Sequence, residues 1–557
     1  MELARAGGPQ AALAARRAAI LAERTDPALT REALHLAARL DPLDPAPRLA
    51  LARVAAEQGD LEAAKAEATA VLNEAVDEAA RARAAFILGE MARVANQAER
   101  ARIFYETTLR IEEALLAADR ADPTAARWYA RARGRIAELD ATDGAFGPAR
   151  TGAEGALAML RAAAAQAGEA PVLAADIADA EMRLAALELD EGQAASARRR
   201  LAEAIGRYEA LAVTEPEEPH WRGVLSDAWA LAAEADYVRG APDAARTAMD
   251  KALQARVRLA ARHPEEAWAL AGAWRLRAAL RAALGDDDAA AESLQQARAL
   301  AETLCLRAAG AEAPARFFIH TVLDQADHAL RTGDFNRARE AADTARMTAE
   351  TFARDNNSAV WFGEVAACWD RLGETARGAG AADKALDAFS RAVEFRRIAC
   401  DRRTDDVQFA RGLAAALIKF GDASLDSGAL ASAQTAHNEA VALRLRFVDA
   451  APNDLGALRA LAAALERFGL SAREAGDVDA ARGAWEDELA LAERIFPDDD
   501  EIEALRFRAI VEAHLAGAGG PHAETHRTAS LARFDALAKA GAMTEREAVL
   551  RRKLWGG

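Results

Sequence analysis

Cysteine is nearly absent from this chain: Cys305, Cys368 and Cys400 are the only three in 557 residues, and no two stand in a Cys-x-x-Cys pair. That count and spacing exclude a disulfide framework or a zinc knuckle and suit a reducing cytoplasm. Aromatic residues are scarce too, at 5% against 52% apolar residues in total, so alanine supplies much of the apolar count. With β-branched and aromatic side chains scarce, strands are disfavoured, whereas alanine favours helix and lets helices approach closely. No uncharged apolar run approaches the roughly 18 residues of a membrane span. The first helix-like stretch is broken by Arg5, Arg16 and Arg17, unlike a signal peptide, so a cytoplasmic protein without membrane partners is expected. Positive charge is the minority sign: the net charge is -17, which disfavours nucleic acid as a partner. The densest basic cluster, Arg551, Arg552 and Lys553, reads as a favourable helix C-terminus. Catalytic motifs are missing as well. There is no phosphate loop, no Gly-x-Ser-x-Gly and no His-Glu-x-x-His, so no enzyme and no cofactor is expected.

What is present is a period. Turn glycines recur at Gly144, Gly192, Gly240, Gly285, Gly333, Gly380, Gly428 and Gly476, at steps of 48, 48, 45, 48, 47, 48 and 48 residues. Each lies between two stretches of helical apolar periodicity, so the repeating unit is a helical hairpin closed by glycine. Seven residues before the turn stands a small residue (Ala137, Ala185, Ala233, Ala278, Ala326, Gly373, Gly421, Gly469), and five after it an alanine (Ala149, Ala197, Ala245, Ala290, Ala338, Ala385, Ala433, Ala481). Small residues there permit two antiparallel helices to touch, and a larger residue four positions on, such as Leu201, Met249, Leu294, Phe389 or Trp485, fills the adjoining space.

The phased pattern resembles the tetratricopeptide repeat, with Trp369, Leu372, Gly373, Ala385 and Phe389 matching most of its motif in one unit. The period is longer than the family's, about 34 residues. The excess amounts to roughly four helical turns, which lengthens both helices while keeping their inward faces. Prolines 123, 171, 216, 264, 314, 452 and 497 mark the unit boundaries, where proline would stop one unit; boundaries near Asn356 and Thr404 lack one. Earlier turns fall at Gly59-Asp60 and near Asn96, and Asp26 and Asp41-Pro42 mark one more hairpin. Thr544 and Glu547 form a capping box opening a last helix. The expected architecture is all-α: a right-handed superhelical solenoid of about ten to twelve hairpins with a C-terminal capping helix. Its parts are short-period hairpins over 1–122, a long-period array over 123–500, and a closing hairpin and helix over 501–557.

The resemblance implies that the first helix of each pair lines a concave groove, and it places position nine of the unit at Glu90, Glu138, Glu234, Asp327, Glu374 and Asp422, with Arg53, Ala186, Ala279 and Leu470 as exceptions. With His320, Asp370, Tyr237, Leu323, Ile418 and Leu425 on the same face, these residues are candidates for holding a basic or amphipathic partner segment. The alternative is a merely solvated face, neutralised within each helix by Arg93, Arg331 and Arg377. A non-catalytic scaffold or adaptor is the expected function. Long-period bacterial units of this kind also resemble arrays that accompany effector enzymes, which implies as a second reading a regulatory or sensor subunit of a separately encoded effector. A third reading is a metal-dependent hydrolase at His320, because His320, Asp324 and His328 share one helix face. His514, His522 and His526 form a second, weaker histidine cluster, with glutamate at the wrong position for a zinc-protease helix.

Overall fold

The computed structural model describes residues 10–22, 26–57, 60–95, 97–120, 122–142, 145–168, 170–216, 218–404, 406–496 and 501–555. These residues form 25 α-helices and a 3-10 turn at Pro264–Glu266, with no strand among them. The N-terminal hairpins pair α1 (Ala11–Ala22) with α2 (Pro27–Leu40), α3 (Ala46–Glu57) with α4 (Leu61–Glu74), and α5 (Glu78–Val94) with α6 (Ala98–Ala118). Next come α7 (Pro123–Thr142) with α8 (Phe146–Ala167), α9 (Pro171–Asp190) with α10 (Ala194–Thr214), and α11 (Pro219–Val238) with α12 (Pro242–Ala260). The sequence continues through α13 (Ala267–Ala283), α14 (Asp287–Arg307), and the pairs α15 (Glu312–Arg331) with α16 (Phe335–Asn356) and α17 (Ala359–Gly378) with α18 (Ala382–Arg402). It ends on α19 (Val407–Asp426) with α20 (Leu430–Ala450), α21 (Leu455–Glu474) with α22 (Val478–Ile495), α23 (Ile502–Ala518) with α24 (Ala523–Lys539), and the single helix α25 (Glu545–Trp555). Two compact units share these elements, Met1–Leu280 and Arg281–Gly557, and the division falls inside α13.

The periodic glycines do what their spacing predicts. Gly192, Gly240, Gly285, Gly333, Gly380, Gly428 and Gly476 all have φ between 71° and 87°, a left-handed conformation that a Cβ would strain. The N–H of the following residue reaches back to the helix end, as from Asp477 to the Ala472 carbonyl at 2.8 Å. Two otherwise unpaired carbonyls of the first helix are thereby satisfied at each turn. Gly59, Asn96, Gly144 and Pro497 lie outside the described residues.

Prolines act only in part as the expected stop signal: Pro216 and Pro452 lie in turns just after a helix, but others do not. Pro171 and Pro219 occupy the first turn of α9 and α11, where the missing N–H has no intrahelical role. They open the next unit rather than close the last. The boundary near Asn356 is closed by Asn357, the one non-glycine residue with positive φ, at 49°, among the described residues. Its side-chain carbonyl accepts from Arg402 at 2.7 Å, and Ser358 caps the helix that follows. Near Thr404, Asp406 performs that capping by accepting from the Gln408 N–H at 3.0 Å. The capping box at the far end is reciprocal: Thr544 N–H donates to Glu547 at 2.7 Å, and Glu547 N–H to the Thr544 hydroxyl at 3.3 Å.

Inside each hairpin the small residue before the turn faces the larger one after it, and their volumes are matched. A Cβ on Gly373 would lie 2.7 Å from the Phe389 ring, and one on Gly89 would lie 2.5 Å from Tyr105. Gly421 stands equally close to His437, and Gly469 to Trp485. Where the opposing side chain is aliphatic, as with Leu201 and Met249, the position holds alanine instead: Ala185 and Ala233, both buried. First helices of successive hairpins also touch one another: α5 with α7, α7 with α9, α15 with α17, α17 with α19, and α19 with α21. They form a continuous run from α5 to α9 in the first compact unit and from α15 to α21 in the second.

Candidate interaction face of the first helices

Because α5, α7, α15, α17 and α19 adjoin their successors, the position-nine acids stand within reach of the next first helix. Each finds a cation there. Glu90 meets Arg135 at 2.7 Å, Glu138 meets Arg183 at 2.8 Å, and Glu374 meets Lys419 at 2.5 Å, and in each pair the partner lies 45 residues further along. Asp327 pairs with Arg371, and Asp422 lies 3.9 Å from Arg467 and 3.5 Å from the buried His437. The periodicity of 48 thus contains an ion-pair ladder, with each acid bound to a base three or four residues short of one full period.

Burial works against ionisation of Glu90, but Arg135, the Tyr105 hydroxyl and Arg93 outweigh it and hold the carboxyl below its usual range. For Glu374 burial is likewise outweighed, here by Lys419 and Arg371. The neutralising partners expected within each helix are only partly right. Arg93 does bind Glu90 at 3.1 Å, but Arg331 turns to Asp287 at 2.5 Å and Arg377 to Asp426 at 3.0 Å. Of the six acids, Glu234 is exposed and has no ion pair among the described residues.

The other candidates divide by exposure. Tyr237 is 41% exposed on α11, and Ile418 and Leu425 are half-buried on α19. Leu323 is only 7% exposed and belongs to the core around Trp361 and Val365, so its placement as a surface anchor is corrected by its packing. Asp370 is largely buried, and burial pushes its carboxyl up despite Lys419 and Arg396. His320 meets Glu364 of the next first helix at 3.2 Å, and Arg316 binds the same carboxylate at 2.8 Å. A guanidinium on that oxygen opposes a metal ion, and no group of three or more His, Cys, Asp or Glu residues converges among the described residues. His514 packs on Trp485 with ring centroids 5.0 Å apart, and burial, then Arg473, pushes its imidazole down to about 4. Burial raises all three cysteine thiols, most of all Cys368, which disfavours the nucleophilic thiolate.

Two hollows beside first helices, one in each compact unit, were not singled out from the sequence. One, of about 690 Å³, lies across α3, α5 and α7 and is lined by Leu49, Phe86, Ile87, Met91, Val94 and Trp128, with Arg53, Arg83 and Glu90 among them. Its aromatic wall is fixed by the Phe86 and Trp128 rings, edge to face at 5.3 Å. Val94 is 66% exposed, an apolar side chain the fold leaves in water. A second hollow, of about 440 Å³, lies between α21 and α23 over α22 and contains Arg459, Glu466, Glu488, Phe496, Glu503 and Phe507. Of their lining residues, Glu90 stood among the candidates from the sequence, as position nine of its unit.

No family model matches the chain, and no curated protein matches it. Among solved structures, yeast Tom70 is 13% identical with a TM-score of 0.40, over 91% of this chain and 96% of that one. RapI in its apo form is 11% identical with a TM-score of 0.42, over 73% and 98%. A putative kinesin light chain with nearly identical TPR-like repeats, from Podosopora anserina, is 15% identical with a TM-score of 0.32, over 42% and 100%. What carries the assignment is internal to this chain: left-handed glycines in phase, small residues seated against aromatic ones across each hairpin, and first helices packed on first helices. The chain is an all-α array of tetratricopeptide-type helical hairpins.

Proposed function

We propose that the chain is a non-catalytic scaffold or adaptor that holds an amphipathic segment of a partner protein against the first-helix layer. The hollow over α3, α5 and α7 carries this reading. Its volume of about 690 Å³, with Phe86, Ile87, Met91 and Trp128 around it, suits the large apolar side chains that anchor a bound segment. Most position-nine acids are compensated by the neighbouring hairpin, so they fix the layer and steer a basic flank only weakly. Glu234, with Tyr237 one turn further along α11, is the exposed exception. The test compares wild type with Val94→Asp in affinity purification followed by mass spectrometry. Val94 is exposed, so the fold should tolerate aspartate there while the hollow gains a charge. A partner retained by wild type and lost by the variant at unchanged melting temperature supports the reading; an identical partner set refutes it.

A further inference from the structure

Twelve residues after the turn, the second helix of the long units carries Ala156, Ala204, Ala252, Ala297, Ala345, Ala392 and Ala440, and every one is buried. The corresponding residue of the last long unit is Glu488. It is just as buried, 3% exposed, and its Oε2 has no hydrogen-bond partner. A carboxylate at a position otherwise reserved for alanine, with an oxygen left unpaired, loses hydration that nothing in the fold replaces. That oxygen is not sealed in a dry core. Glu488 lines the 440 Å³ hollow between α21 and α23, where Glu466 stands on one wall and Phe496 and Phe507 on the others. Arg459 lies over the Phe496 ring at 5.9 Å, and Glu503 is held by Arg506 at 2.7 Å.

We propose that this cleft receives the guanidinium of an arginine side chain on the bound segment, with Glu488 at the floor, Glu466 at the wall and the phenyl rings beside it. The chemistry favours guanidinium because its planar fork meets carboxylates with directed N–H donors and stacks on aromatic faces. The volume fits a head group on an alkyl stem, and the cleft opens beside first helices, as the apolar hollow does in the other compact unit, so the inference rests on the scaffold reading above. Burial and then Glu466 push the Glu488 carboxyl up to about 9. At neutral pH it is therefore protonated until a cation draws the proton out. Arg459 on α21 and Glu503 on α23, the other charged groups facing the cleft, are of opposite sign.

The experiment is calorimetric titration of the full chain with agmatine and with the blocked peptide acetyl-Gly-Arg-Gly-amide, in two buffers of unlike ionisation enthalpy. Both probes should saturate and release a proton, and Glu488→Gln and Glu488→Ala should each weaken binding by about tenfold or more, as loss of a charge-assisted contact does. The alanine variant restores the residue that every other long unit uses, so it should fold at least as well as wild type. Absence of saturable binding to wild type, or undiminished binding to Glu488→Ala, overturns the site. Agmatine binding without peptide binding overturns the arginine side chain in favour of a free alkyl cation. A partner that depends on Val94 and still binds Glu488→Ala at full strength would remove the cleft while leaving the scaffold reading intact.

Discussion

A single methyl group separates two solutions to the same packing problem. Where the second helix brings an aromatic ring, the first helix has glycine; where it brings leucine or methionine, the first helix has alanine. Gly373→Ala would place a Cβ 2.7 Å from the Phe389 ring and should destabilise by about 1–3 kcal/mol through overpacking. Combining it with Phe389→Leu recreates the Ala185–Leu201 arrangement, so the double variant should lie above the sum of the singles in a denaturation cycle. Additive losses would show that the ring and the glycine are independent. Glu488 also governs pH dependence. Its carboxyl sits at about 9 in the fold against about 4.5 unfolded, so between those values the folded state holds one more proton than the unfolded chain. Stability should therefore fall as pH rises through that window, by at most about 1.4 kcal/mol per unit. Thermal melts of Glu488→Ala should show a shallower decline over the same range, and an unchanged slope would assign the dependence to other groups.

Between elements, a recurring polar device is the ladder that joins α5 to α7, α7 to α9, and the first helices from α15 to α21 each to the next. Glu374 illustrates it, held by Arg371 three residues earlier and by Lys419 at 2.5 Å on α19. Both partners are about a third exposed, so the pair contributes modestly, about 1 kcal/mol or less, and less at high salt. Glu374→Lys should lower stability by about that amount, and Lys419→Glu in the same chain should restore it, as read by urea midpoint. Failure of the swap to rescue would return Glu374 to the role of a recognition residue. The hairpin turns and the Gly–aromatic seats could be read from the sequence because φ and side-chain volume act over 16 residues or fewer, inside one hairpin. The ladder could not, because an arginine chooses among several carboxylates by rotamer. Arg331 shows this, standing four residues from Asp327 yet binding Asp287 on α14. Leu323 failed as a surface anchor for a related reason: its register placed it on the face, but α17 packs over it. Glu488 was visible in register all along as the break in a column of alanines, a signal that becomes meaningful only once that column is known to be buried.

At the scale of the molecule, stability is assembled from neighbours. In the second compact unit α17 packs on α16 and α18, and the first helices from α15 to α21 touch in succession, so perturbations should fade with distance along the chain. Gly469→Ala tests this. The added Cβ would strike the indole of Trp485, which also packs on His514 of α23, so the disturbance starts in α21 and α22 and has a direct route into α23. Hydrogen exchange followed by mass spectrometry should show faster exchange in α21–α23, a smaller change in α19 and α20, and wild-type protection in α15 and α16. The gradient follows from the contacts: α19 touches α21 directly, whereas α15 is linked to α21 only through α17 and α19. If α15 and α16 lost protection as much as α22, the unit would be one cooperative core rather than a chain of coupled hairpins. A segment bound across several first helices would then order the whole unit instead of only the hairpins it touches.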